Sequence, residues 1–250
     1  MAMNLAAKYE KKVDDRFKLK SVTESAVNRE YDWTGVDTIK IYSIPTVAMN
    51  NYTKTGTSRY GTPAELDNTV QTMLLTRDRS FTFTIDRANT QDTQGVMEAG
   101  KALARQIDEV IVPEIDVYRL AAMSAAAITN GHTATAAITA SNAYVKLLDA
   151  GAALDEDKVP VTGRIAFVTP AYYNFLKQDN TFIKASEIAQ NMLINGQVGE
   201  VDGVKIVKVP SVYLPASHAF ILTHPIATVA AQKLEDTRSM IIHPGSMANS

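Results

Sequence analysis

No cysteine occurs among the 250 residues, so disulfides, thiolate metal sites and thiol catalysis are all excluded. A chain of this length buries enough apolar surface to fold without such staples, and their lack fits synthesis in a reducing cytosol. An excess of either charge is also missing: 25 Lys and Arg face 27 Asp and Glu, for a formal net charge of -2. A dedicated duplex binder concentrates basic residues on one face, so a tight grip on nucleic acid is not expected. Long apolar runs are absent too. Crossing a bilayer takes ~18 to 20 such residues, and even residues 121–128 form only a short stretch of small ones. Residues 1–20 carry Lys8, Lys11, Lys12, Lys18 and Lys20 among acids, in place of the apolar core of a signal peptide. A soluble, non-secreted chain that meets no membrane is the expectation.

Signatures of catalysis are equally scarce. His132, His218, His224 and His243 are spread without the spacing that sets two imidazoles on one helix face, and they read as surface or turn residues. Gly196, Gly199 and Gly203 precede a strand, whereas the dinucleotide and phosphate loops must lead into a helix N-terminus. No G-x-S-x-G elbow is present. Asp108, Glu109, Glu114 and Asp116 form the one carboxylate group that could serve acid–base or metal chemistry, with Glu109 and Asp116 seven apart on one face. Charges on the solvated side of a long helix, with Arg105 and Arg119 in reach to pair with them, explain the group better. Asp155-Glu156-Asp157 is acidic but lacks the spaced ligands of a calcium loop. No catalytic residue, metal ligand or cofactor is expected, and the chain reads as a non-enzyme.

What is present is a sequence of contrasting segments. Residues 5–31 form a charged arm in which Leu5, Tyr9, Val13 and Phe17 recur at helical spacing, too thin a stripe to make a core. Such an arm lies against something else or frays from its own domain. From Thr38 the period becomes two, with Ile39, Ile41, Tyr42 and Ile44 before Pro45, which predicts a strand. Phe81, Phe83 and Ile85 alternate with Thr82 and Thr84 and predict a second strand over residues 80–85. Residues 47–79 between them are rich in Asn, Gly, Thr and Arg, with only Val70 and residues 73–75 as an apolar patch. Connections beyond about 12 to 15 structureless residues are uncommon in compact domains unless they bind or cap something. Two readings remain: a disordered surface insertion, or a long hairpin reaching a neighbouring molecule. On that loop Lys54, Arg59, Tyr60, Arg77 and Arg79 are the candidate contact residues. With Tyr52 and Tyr60 the only aromatics nearby, base stacking is poorly served, and arginine pairing with a neighbour's carboxylates is the better use.

Beyond Thr90 the pattern turns helical, with Val96, Leu103, Ile107, Val110, Ile111, Ile115, Leu120 and Met123 on one face. Asp92 or Thr93 suits the N-cap, and Pro113 is expected to kink the helix or split it near Ile111. Residues 93–128 would span about 50 Å at ~1.5 Å per residue, the length of a spine. Asn130-Gly131 should end that helix and mark a boundary. A helix follows from Ser141, then a strand over residues 164–168, a helix opened by Thr169-Pro170, and a hairpin turning at Asp202-Gly203. Short apolar strands at residues 219–222, 228–231 and 240–242 are expected to return to the spine helix.

The order of parts resembles the Hong Kong 97-type major capsid proteins of tailed phages. The residues that carry the resemblance are Trp33-Thr34-Gly35 through residues 38–45, the loop at residues 55–63, Arg105-Gln106-Ile107-Asp108-Glu109, and Gly163-Arg164 onward to Pro170. The resemblance implies an α+β capsid fold: an N-terminal arm at 1–34, an extended E-loop hairpin at 35–90, a peripheral domain at 91–130 with 226–250, and an axial domain at 131–225. It implies a shell subunit forming hexamers and pentamers of an icosahedral head around double-stranded DNA, held non-specifically on the inner face. Scaffold, portal and decoration proteins would be partners, with assembly in the bacterial host cytoplasm and a place in the virion capsid. Lys54 sits where some relatives carry a cross-linking lysine; no partner motif accompanies it, and no covalent bond is expected. The competing readings are an encapsulin-like compartment shell and a small α/β enzyme without a visible motif.

Overall fold

The computed structural model describes residues 21–30, 38–63, 65–74, 77, 79–83, 99–179 and 199–230. The arm stripe at 5–17, the helix start at 92–98 and the strand expected at 240–242 lie outside them. The chain forms two compact units, one comprising Arg29–Thr82 and the other Met1–Asn28 together with Phe83–Ser250.

The larger unit is built on the spine helix. Helix α1 (Ala99–Gln106), a π-helical turn (Ile107–Ile111) and helix α2 (Val112–Thr129) follow one another without a break. Together they extend about 45 Å at ~1.5 Å per residue. Pro113 therefore does not split the helix. Its missing N–H and its ring would conflict with the carbonyl four residues back in a regular α-turn. The chain instead widens by one residue just before it, and the Val112 amide donates to the Ile107 carbonyl. At the other end the expectation holds: Asn130 closes the last turn on the Ala126 carbonyl, and Gly131 takes φ +74°, a left-handed conformation that glycine adopts at no steric cost.

A four-stranded sheet lies against this spine, in the order β4-β5-β3-β6, formed by β3 (Arg164–Val168), β4 (Glu200–Val201), β5 (Val204–Lys208) and β6 (Phe220–Thr223). Strand β3 runs parallel to β5 and antiparallel to β6, while β4 and β5 form a hairpin. Asp202 and Gly203 at its turn both have positive φ, 51° and 72°, which is the type I′ geometry that Asp-Gly favours. Every residue of β3 is buried, as expected of a central strand covered on both faces. Its alternate side chains divide the core. Ala166 and Val168 meet Ala143, Leu147, Tyr172 and Leu176 of helices α3 (Ala143–Glu156) and α4 (Pro170–Gln178). Ile165 and Phe167 meet Leu120 and Met123 of the spine helix. Helix α4 starts as expected, with Thr169 Oγ1 accepting from the Tyr172 amide and Pro170 at the first position.

Strand β6 returns to the spine helix as expected, its Ile221 packing with Leu120 and Met123, and it also forms the edge of the α/β sheet, paired to β3. Of residues 228–231, Val229 makes only an isolated parallel bridge to Asn28, through Asn28 N–H to the Thr228 carbonyl at 2.8 Å and Ala230 N–H to the Asn28 carbonyl at 3.0 Å.

In the smaller unit, β1 (Thr38–Ser43) pairs antiparallel with β2 (Thr69–Leu74), Thr38 opposite Leu74 and Ser43 opposite Thr69. The second strand is thus not where the Phe81/Phe83 alternation puts it. Residues 80–83 are not in a strand, and both phenylalanines are exposed; Thr84 and Ile85 lie outside the described residues. A period of two suits a strand only where a ladder partner is at hand, and β1 takes the stretch around Val70 and Met73.

Candidate intersubunit surface

The hairpin has two unlike faces. Ile39, Ile41 and Met73 share one, where Ile39 is buried and the other two half-buried. Tyr42, Val70 and Leu74 share the other with Lys40 and Thr72, and there Tyr42 is 62% exposed and Leu74 67%. The loop at residues 44–68 adds Ile44, Val47, Met49, Tyr52, Tyr60 and Leu66, all exposed. A two-stranded ribbon is marginal in water by itself, and this set of exposed apolar side chains is large for a polar loop.

The loop nevertheless has local order. Thr53 N–H donates to the Arg59 carbonyl at 3.1 Å and Gly61 N–H to the Ser58 carbonyl at 3.2 Å, which closes residues 53–61 into a compact tip. Arg59 Nε donates to the Gly56 carbonyl at 3.2 Å, and the rings of Tyr52 and Tyr60 stand 5.3 Å apart. Gly61, at φ +83°, has a left-handed backbone that favours glycine, and a Cβ there would displace the exposed end of the Asn50 side chain.

Of the sequence candidates, the tip therefore brings Lys54, Arg59 and Tyr60 together, all exposed. Arg77 and Arg79 are exposed as well, but they follow β2 at the far end of the ladder, whose six residue pairs extend about 17 Å at ~3.4 Å per residue. The five residues line the length of the hairpin; they do not converge on one point.

The carboxylate group also resolves. Arg105 and Glu109 form the expected exposed pair, Nε to Oε1 at 2.9 Å. Asp116 and Arg119 do not lie on a solvated face; both are buried. Asp116 clasps the strand of chain that precedes Asn28: Oδ1 accepts from the hydroxyls of Ser21 and Thr23, each at 2.6 Å, and from the Thr23 amide, while Oδ2 accepts from the Val22 amide. Arg119 Nη1 donates to Thr23 Oγ1 at 3.1 Å and to Glu24 Oε2 at 3.2 Å. Asp155 is likewise structural, accepting at 2.7 Å from the guanidinium of Arg164, which also donates to the carbonyls of Gly151, Val159 and Pro160. Among the histidines, His218 Nε2 meets Ser124 Oγ at 2.8 Å, and His224 Nδ1 accepts from the Ile226 amide in a capping turn; His243 lies outside the described residues. Among the described residues no three His, Asp or Glu gather as a metal site, and no helix is long and apolar enough to cross a membrane.

A family model described as phage capsid protein matches residues 67–241. The chain belongs to the phage capsid protein family. That bears out the resemblance to tailed-phage major capsid proteins and fixes the role as structural and non-enzymatic, in the virion capsid, where the subunit assembles with copies of itself into the shell. Solved structures agree on the α+β fold. A chain from Mycobacterium phage Che8 superposes with a TM-score of 0.57 at 21% identity, over 82% of this capsid protein and 74% of that chain. A chain from the capsid structure of the cyanophage P-SCSP1u gives 0.50 at 16% identity, over 76% of this capsid protein and 62% of that chain. No curated protein sequence matches it.

Proposed function

We propose that this is a Hong Kong 97-type major capsid protein whose Arg29–Thr82 hairpin is completed by a neighbouring copy. The observation that carries the reading is the bare face of Tyr42, Val70 and Leu74 together with the apolar tip, a surface the subunit itself leaves in water. The extended hairpin adds contact area to a neighbour without enlarging the core, which suits a shell held by many modest, repeated interfaces. Lys54, Arg59 and Tyr60 at the tip and Arg77 and Arg79 at the base are its contact residues, the arginines pairing with carboxylates of the next copy.

In the same reading residues 1–34 are the arm, 35–90 the E-loop, 91–130 with 226–250 the peripheral domain, and 131–225 the axial domain at capsomer centres. Hexamers and pentamers close an icosahedral head around double-stranded DNA, assembled in the host cytoplasm with scaffold, portal and decoration proteins as further partners. Lys54 makes no covalent bond, so denatured particles run as a single monomer band on a gel.

Negative-stain microscopy of the purified protein tests the proposal. Shells, rings of five or six, or sheets are the expected result. A discrete monomer or dimer that persists at high concentration would overturn it.

A further inference from the structure

Strands β3 and β5 run parallel, with Arg164 beside Val204 at one end and Val168 beside Lys208 at the other. The two ends carry opposite chemistry. At the first, a cavity of about 240 Å³ is walled by Leu147 and Leu148 of α3 and by Val161 and Val204, with Asp155, Arg164 and Asp202 as its charged members. Asp155 and Arg164 answer each other at 2.7 Å, so their charges cancel. Asp202 is exposed at the hairpin turn, and among the described residues no cation pairs with it. An apolar pocket beside one unmet carboxylate suits a lysine, whose four-carbon stem packs on the walls while its ammonium reaches the acid.

The second end supplies such a group. Lys208 closes β5 and is exposed, Lys177 lies on α4, and their ammoniums stand 5.4 and 4.8 Å from the centre of the same Tyr173 ring. Neither lysine forms an ion pair among the described residues. Two like charges held at one ring repel each other, and an outside carboxylate relieves that repulsion. Asp202 of the same subunit is at the wrong end of β5, since Val204 to Lys208 alone spans about 13 Å at ~3.3 Å per residue. The partner of matching chemistry is therefore the pocket of another copy.

We propose that Lys208 of one subunit enters the pocket between α3 and the β4-β5 turn of the next and pairs there with Asp202. The contact is head-to-tail, because each copy offers the lysine at one end of its sheet and the acid at the other, and such contacts close into rings. The inference rests on the reading of the chain as a shell subunit, and it names a contact that builds the rings of five or six.

Charge reversal in the full chain tests it. Lys208→Glu and Asp202→Lys, each alone, set like charges face to face and are expected to raise the concentration at which particles appear in negative stain by about tenfold or more. The double variant exchanges the two charges and is expected to restore the parent's value. Assembly of either single variant at the parent's concentration would overturn the pairing, as would an exchange that restores nothing; shells that form normally from Lys208→Glu but fill poorly with DNA assign that lysine to packaged DNA instead. Thermal unfolding matched to the parent shows which variants are folded. If Asp202→Lys is not, Asp202→Asn decides, because it keeps the left-handed turn and removes only the charge: weaker assembly is expected, and parental assembly overturns the pairing. A parent that forms no particles overturns the shell reading, and this contact with it.

Discussion

Asp116 accepts four hydrogen bonds from Ser21, Val22 and Thr23 while buried in the spine helix, so it holds together two stretches of chain more than ninety positions apart. Asp116→Ala leaves those donors without an acceptor and is expected to lower unfolding stability by about 3 kcal/mol, measured as a shift in urea midpoint. Asp116→Asn should lose less, because an amide oxygen still accepts from Ser21 and Thr23 while its NH2 confronts the Val22 amide. Tyr172 gives a pH signature. Its hydroxyl donates to the Ala143 carbonyl at 2.8 Å, and burial, helped by the Asp179 carboxylate, raises its pKa well above the ordinary 10.0. A folded-state pKa above the unfolded one means stability that is complete below pH about 10 and is lost as pH rises beyond it. Tyr172→Phe is expected to flatten that alkaline loss, read from urea midpoints between pH 8 and 11. Such buried polar groups were not legible in the sequence. An Asp and an Arg at helical spacing look like any solvated pair, and what buries them is a strap whose position depends on the tertiary fold. Thr169-Pro170 was legible because an N-cap acts within three residues.

Elements were legible where local chemistry decides them. The Asp202-Gly203 turn, strand β3 and the end of the spine helix all follow from residues at fixed offsets. Gly203→Ala places a Cβ at φ +72° and is expected to cost about 1 to 2 kcal/mol while leaving the sheet intact, a loss that thermal unfolding with circular dichroism will show. Two elements depended on more than local pattern. The strand opposite β1 is chosen by register across a long loop, so the regular Phe-Thr alternation at 81–84 misleads, while residues 69–74 pair despite a weaker alternation. Pro113 is a helix breaker by its own geometry, yet a π-turn directly before it absorbs the conflict and the core around Ile107 and Val112 is kept. No composition rule distinguishes a proline that ends a helix from one that widens it.

At the scale of the molecule, the near balance of charge, the missing catalytic motifs and the oversized loop agree with a shell protein, and family membership carries the point. The two units divide the work. The larger has a double-faced sheet and its own core; the smaller has a ladder with one exposed apolar face and an apolar tip. Deleting residues 50–62 should therefore leave the thermal transition of the larger unit unchanged and abolish particles in the electron microscope. A cryo-electron microscopy reconstruction of assembled particles tests most directly whether the hairpin finds its cover on a sister subunit. It should place Tyr42, Val70, Leu74 and the 53–61 tip in contact with another copy, with Arg59, Arg77 or Arg79 against that copy's carboxylates. A hairpin folded back on its own subunit, touched by no sister chain, would contradict it.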